Sequence, residues 1–165
     1  MAEVIDTSAA LLAGAPMEPP VLRGRQPVEA VTRLGDLLVA SGQVAVADGE
    51  LVATGVVGAD VDVATARRAA WVCARNLLAA VRDEAGGLDQ VRAVRITVYV
   101  ACAPTFTEQH LVADAATRLV LDVLGPERGA HSRAALGVAG LPLGSPVEVD
   151  GLFQLVSGPA LADRH

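Results

Sequence analysis

Two charged residues in the last third of the chain are placed where they could act on a small charged molecule. Arg133 stands at the mouth of one apolar strand, and Glu148 lies inside the next. An isolated charge in such surroundings is costly, because burial removes its water. Opposite charges on adjacent strands can instead bind each other, or they can bind a ligand between them. Arg133 and Glu148 are therefore the first candidates for a functional pair.

Each member of this pair has a structural interpretation and a functional one. The planar guanidinium of Arg133 suits a carboxylate of either origin, from a protein side chain across an interface or from a ligand. Glu148 could face solvent beside Asp150. On an occluded face, a raised pKa would instead suit Glu148 for general acid–base work. The residue types alone leave both alternatives open.

The remaining reactive side chains predict neither a metal nor a cofactor. The three histidines are dispersed, and Cys73 and Cys102 lack the spacing of zinc ligands. Cys102 ends a strand and could line a cleft, although a buried inert thiol is the simpler interpretation. Ser41 beside Gly42 interrupts an apolar strand, which favours a bulge that satisfies local backbone groups.

Composition narrows the class of protein. The 165 residues suit one domain with a real core, and apolar residues make up 52% of the chain. There are 13 basic and 19 acidic residues, giving a net charge of −6, and every basic residue is Arg. Schiff-base lysine chemistry is therefore excluded, and the negative field disfavours nucleic acid as a partner. With no leader pattern and no apolar run long enough for a membrane span, we expect a cytoplasmic protein that does not act at membranes.

The sequence divides into a central domain and two tails, with an N-terminal tail at 1–26, a domain at 27–157 and a C-terminal tail at 158–165. Asp48-Gly49 predicts a hairpin turn, Asp62 a helix N-cap, and Gly86-Gly87 a helix stop. Hydrophobic periodicity predicts strands at 36–46, 50–54, 91–102, 134–141 and 147–156, and helices at 63–84 and 108–124.

The order of these elements predicts an α/β domain whose mixed sheet is covered on one face by two helices. The other face still carries apolar residues, which must be buried somehow. Association with copies of the same chain is the simplest way to bury them.

This order of elements, with the residues at its joints, resembles the YjgF/YER057c/UK114 family, also called the Rid family of reactive-intermediate deaminases. The resemblance spans roughly residues 28–156. The segments that carry it are Leu37-Leu38-Val39-Ala40-Ser41-Gly42-Gln43, Arg75-Asn76-Leu77-Leu78, Val94-Arg95-Ile96-Thr97-Val98-Tyr99-Val100, His131-Ser132-Arg133-Ala134, and Leu141-Pro142-Leu143-Gly144 through Val147-Glu148-Val149. It implies a chorismate-mutase-like fold assembled as a homotrimer with clefts between subunits.

The resemblance also implies a reaction and a set of residues for it. Active members hydrolyse 2-aminoacrylate or 2-iminopropanoate to a 2-oxo acid and ammonia without a cofactor. Arg133 matches the arginine that clamps the substrate carboxylate, and Glu148 matches the glutamate that positions the attacking water. The other positions that match substrate-binding residues are Ser41, Gly42, His110 and Ala135.

Two positions depart from the pattern of active members. Val28 stands where those members have a tyrosine, and His110 stands where they have an asparagine at the start of the second helix. His110 is a polar surface residue in the simplest interpretation, or it faces the cleft and adds pH dependence. His131 could orient Arg133 or bond a neighbouring subunit.

Three other functions are alternatives to imine hydrolysis. A non-catalytic trimer that binds small carboxylates through Arg133 is the main alternative. Endoribonuclease activity, an old label of the family, fits poorly with the acidic charge. Chorismate mutase activity is the least favoured, since a shared fold does not carry function.

Overall fold

A computed structural model describes residues 28–156. The two predicted tails lie outside the described residues. In chain order the elements are β1 (Val31–Leu34), β2 (Leu37–Val44), β3 (Val46–Ala47), β4 (Glu50–Leu51), α1 (Val63–Ala85), β5 (Val91–Ala101), α2 (Gln109–Arg128), β6 (Ser132–Val138), a 3₁₀ turn (Pro142–Gly144) and β7 (Val147–Leu155).

The predicted turn and cap residues are confirmed. Asp48 and Gly49 have φ values of 51° and 85°, and they join β3 to β4. Positive φ at both central residues is the type I′ geometry that closes tight hairpins. The Asp62 carboxylate caps α1 by accepting a hydrogen bond from the Thr65 amide at 2.7 Å. Gly86 ends the helix in the left-handed conformation, with φ of 76°.

Other boundaries differ from the predictions. Strand β1 was missed; it pairs with β2 through a turn at Gly35, whose φ is 65°. Strand β6 begins at Ser132 and ends at Val138, earlier than predicted, because the chain then turns through Pro142–Gly144. Helix α2 is interrupted at Gly125, just before Pro126, and one more turn follows the interruption.

The strand order is β1-β2-β7-β5-β6, with β5 and β6 parallel and the other neighbours antiparallel. The expectation that the strands of Arg133 and Glu148 are adjacent is therefore wrong, because β5 lies between β6 and β7. The physical reason is α2. Parallel neighbours need a long crossover connection, and the helix between β5 and β6 supplies it.

Both long helices cover one face of the sheet, as expected. Their buried residues include Leu77 and Val81 on α1 and Val112 and Val120 on α2, which share one core with Phe153 of the sheet. None of the described helices is long and apolar enough to cross a membrane.

No described element covers the opposite face, which we call the open face. Val39 is 50% exposed there, and Leu136 is 46% exposed. Leu136 lies opposite Tyr99 in the β5–β6 register. The expectation that this face carries apolar residues is confirmed, and association with copies of the same chain stays a prediction.

Candidate functional site

Arg133 is held by helix α2 of its own chain. It lies opposite Ile96, which is buried beneath the helices, so its side chain is on the helix side of the edge strand β6. Its Nη1 donates to Asp114 Oδ1 at 2.9 Å and to Thr117 Oγ1 at 3.0 Å. The arginine is thus fixed by an acid and a hydroxyl, and its partner is not Glu148.

His131 extends this cluster through Thr117. Its Nδ1 lies 2.6 Å from the carbonyl oxygen of Gly129, and its Nε2 lies 3.3 Å from Thr117 Oγ1. A neutral imidazole that donates from Nδ1 to the Gly129 carbonyl oxygen can accept a hydrogen bond from the Thr117 hydroxyl at Nε2. The Thr117 oxygen is then free to accept from Arg133. Of the two roles considered for His131, the structure supports orienting Arg133 through Thr117.

His110 and Ala135 lie in the same part of the molecule. His110 is exposed, and it precedes Asp114 by four residues and Thr117 by seven on α2. That spacing puts the three side chains on one helix face. Ala135 follows Arg133 by two residues on β6, so it shares the helix side of this strand. Arg133, Asp114, Thr117 and His131 form what we call the arginine half-site, with His110 and Ala135 beside it.

Glu148 lies on the other side of the sheet. Its register partner on β5 is Tyr99, and its carboxyl group lies against the α-carbon of Gly42 on β2. A β-carbon at position 42 would collide with this carboxyl group. The strand register shifts between Ala40 and Gln43, so the predicted bulge at Ser41-Gly42 is confirmed. The bulge is what lets Glu148 approach the backbone of β2.

The pKa of Glu148 is raised above its usual range. Partial burial is the larger cause, and the negative charge of Asp150 adds to it. Asp150 is fixed in turn by Tyr99, whose hydroxyl donates to Oδ2 at 2.9 Å. This hydrogen bond raises the pKa of Tyr99 as well. Gly42, Glu148, Asp150 and Tyr99 form what we call the carboxylate half-site.

Ser41 points back into its own chain. Its hydroxyl donates to the Glu29 carbonyl oxygen at 2.7 Å, and its amide donates to the Ala30 carbonyl oxygen at 2.9 Å. The structure thus gives Ser41 the local bulge role that the sequence favoured. Val28, at the position of the family tyrosine, is exposed.

One chain does not bring the two half-sites together. Arg133 aligns with Ile96 of β5, and Glu148 aligns with Tyr99 of β5. The two positions are therefore offset by three residues along the strand direction, and β5 lies between their strands. Usual strand dimensions separate their α-carbons by roughly 14 Å. Their side chains also lie on opposite faces of the sheet, so no single small ligand can touch both.

Sequence reasoning missed Asp114, Thr117 and Tyr99. The four-residue and seven-residue spacing from His110 would have placed Asp114 and Thr117 beside the predicted site. The alternation of β5 places Tyr99 on the mixed face with Arg95 and Thr97, but alternation alone does not assign it to a site. Among residues 28–156, no three His, Cys, Asp or Glu side chains are grouped closely enough to hold a metal ion.

Comparison with known proteins assigns the family. The model of the family described as endoribonuclease L-PSP matches residues 25–153. The chain therefore belongs to the endoribonuclease L-PSP family, which is the YjgF family, and it has the chorismate-mutase-like fold of YjgF structures.

Individual relatives agree with this assignment. Protein TCP17 of Trypanosoma cruzi is 45% identical over 103 residues, which are 62% of this chain and 64% of that protein. The chain thus spans a little under two thirds of that relative's length. A protein of unknown function from Agrobacterium tumefaciens is 44% identical over 78% of this chain and 82% of its own, with a TM-score of 0.76. The YjgF gene product of E. coli shares the fold, at 22% identity over 78% of this chain and 87% of its own, with a TM-score of 0.52.

Proposed function

We propose that the protein hydrolyses small imines or enamines that carry a carboxylate, releasing ammonia and a 2-oxo acid. In this reaction Arg133 binds the substrate carboxylate, and Glu148 positions and activates the water that attacks the imine carbon. The observation that carries the proposal is the raised pKa of Glu148, whose partly buried carboxyl group lies against Gly42. A raised pKa makes a carboxylate a stronger base, which suits a group that takes a proton from the attacking water.

The open guanidinium edge of Arg133 supports the binding step. Both of its hydrogen bonds leave from Nη1, so Nε and Nη2 donate to no described residue. No buried side-chain nitrogen or oxygen among residues 28–156 lacks a partner, so these two nitrogens must reach solvent. Two parallel N–H groups on one guanidinium edge match the geometry of a carboxylate.

The site is proposed to be completed between subunits. Arg133 and Glu148 lie on opposite faces of one sheet, so they can meet at one ligand only if they come from different chains. The open face supplies a surface for such contact, with Val39 and Leu136 each about half exposed. A homotrimer with three equivalent clefts is the assembly that we propose, in a reducing, cytoplasmic setting suited to the free thiols Cys73 and Cys102.

RNA cleavage, which the family's description names, has less support. A phosphate backbone would meet 13 basic and 19 acidic residues, in a chain of net charge −6. Counterion release, the main source of affinity for nucleic acid, needs unpaired cations on the protein. The acidic half-site around Glu148 and Asp150 would repel phosphates further.

The test is hydrolysis of 2-aminoacrylate generated in solution, with its decay and the released ammonia followed together. The wild type is expected to speed the decay, and Arg133→Ala is expected to abolish that acceleration. Arg82→Ala removes an exposed arginine that pairs with Asp83 on α1 and serves as the matched control. Decay no faster than in buffer would contradict the proposal. Thermal stabilisation by 2-oxo acids without turnover would favour a carboxylate-binding protein instead.

A further inference from the structure

Asp114 places a negative charge directly beside the cationic group that we expect to bind substrate. Its Oδ1 accepts from Arg133 Nη1 at 2.9 Å, and the side chains of Arg133 and Asp114 are 23% and 50% exposed. Oδ2 of Asp114 accepts from no residue among 28–156, so half of this carboxylate is available to a ligand. The ligand therefore meets a charge pair at this position.

A charge pair attracts a simple anion less than a lone arginine does. The carboxylate of an approaching anion gains from Arg133, but Asp114 repels it at nearly the same distance. No other arginine donates to Asp114, Thr117 or His131 in the described part of the chain. Acidic Glu148 and Asp150 of the second half-site would increase the negative potential of the completed cleft.

A ligand that carries both charges fits this arrangement better. Its carboxylate can take the free Nε and Nη2 edge of Arg133, while a protonated nitrogen donates to Asp114 Oδ2. The two protein charges are joined by a single hydrogen bond, so the two ligand charges must also be close neighbours. A carboxylate and a nitrogen on the adjacent carbon meet this condition, whereas an amine further along a chain does not.

We infer that Asp114 is a specificity-determining residue that accepts a hydrogen bond from the ligand's protonated nitrogen. It thereby selects α-amino and α-imino acids over carboxylates of the same size that lack a protonated nitrogen. The inference rests on the proposed function, because both assume that Arg133 faces the ligand. It adds an assigned contact for the nitrogen and a basis for discrimination. It also favours product release: loss of the nitrogen as ammonia removes a contact with Asp114, so the 2-oxo acid product binds less tightly than the substrate.

The experiment compares L-alanine with L-lactate by titration calorimetry, because the two differ only in the amine and the hydroxyl. The wild type at pH 7 is expected to bind alanine about tenfold or more tightly than lactate, the size expected of one charge-assisted hydrogen bond. Asp114→Asn is expected to weaken alanine binding and tighten lactate binding, bringing the ratio close to one. Asp122→Asn is the matched control, because Asp122 on the same helix also pairs with an arginine, Arg118, at 2.9 Å.

Three results would overturn the inference: equal binding of the two ligands to the wild type, binding of neither, or an unchanged ratio in Asp114→Asn. A circular dichroism spectrum of each variant confirms that the fold is retained. This binding experiment can fail independently of the hydrolysis experiment that tests the proposed function. Selective binding of alanine without imine hydrolysis would refute only the proposed reaction. Hydrolysis without this selectivity would refute only the proposed role of Asp114.

Discussion

The carboxyl group of Glu148 lies against the α-carbon of Gly42, on the strand next to its own. No positive φ requires a glycine at position 42; the space taken up by Glu148 does. The bulge in β2 and the small residue within it therefore fix where the carboxyl group sits. This contact makes the position of Glu148 sensitive to a single methyl group.

We predict that Gly42→Ala lowers imine hydrolysis by about 100-fold, the scale of loss when a catalytic group is misplaced by about 1 Å. Stability should change little, because the flexible end of the Glu148 side chain can move aside. Gly140→Ala is the matched control, since nothing lies within 4 Å of a β-carbon there. Full activity in Gly42→Ala, measured as initial rates of ammonia release, would show that this contact does not position Glu148.

The same contact shows what could be predicted from sequence and what could not. The interruption at Ser41-Gly42, the turn at Asp48-Gly49 and the cap at Asp62 follow from local rules, and each is confirmed. The partner of Arg133 does not follow from such rules. The crossover through α2 inserts β5 between β6 and β7, so strand order decides what Arg133 can reach.

A second prediction concerns Asp150. Its negative charge raises the pKa of Glu148, with burial as the larger cause, so Asp150→Asn should lower that pKa without returning it fully to the usual range. Carbon-13 NMR titration of the glutamate carboxyl groups measures this directly, whether or not the protein turns over substrate. Asp122→Asn, on the exposed side of α2, should leave the Glu148 titration unchanged. A Glu148 midpoint that stays in place in Asp150→Asn would contradict the assignment.

A third prediction is the effect of Glu148 on stability. Its pKa in the folded protein is raised above the ordinary value of 4.5, so the folded state holds this proton more tightly than the unfolded state does. Its contribution to stability is therefore fully present below about pH 4.5 and is lost as the pH rises through the raised pKa. Glu148→Gln carries no such group, so it should gain stability relative to wild type across this window.

Urea unfolding at a series of pH values measures this difference. The difference in unfolding free energy between Glu148→Gln and wild type should increase towards neutral pH and then level off. A difference that shrinks as the pH rises would mean that ionised Glu148 is stabilised in the folded protein.

A fourth prediction tests how Arg133 is held. Thr117 Oγ1 accepts from Arg133 at 3.0 Å and lies 3.3 Å from His131 Nε2, so Thr117→Val removes the link between them. Loss of one hydrogen bond to a charged group corresponds to about 1.5–3 kcal/mol, and we expect KM for the imine to rise by about tenfold or more, with a smaller change in kcat. Thr117→Ser keeps the hydroxyl and should restore the wild-type KM. Equal KM values in Thr117→Val and wild type would show that Asp114 alone positions Arg133.

The central claim is that Arg133 and Glu148 act together from different chains. Co-expression of Arg133→Ala and Glu148→Ala, each with its own affinity tag, gives mixed assemblies that can be purified through both tags. Each variant alone should be inactive. Every mixed trimer has one cleft in three that pairs an intact Arg133 with an intact Glu148 of the neighbouring chain, so we predict about one third of wild-type imine hydrolysis. Mixed assemblies as inactive as their parents would contradict a site shared between chains.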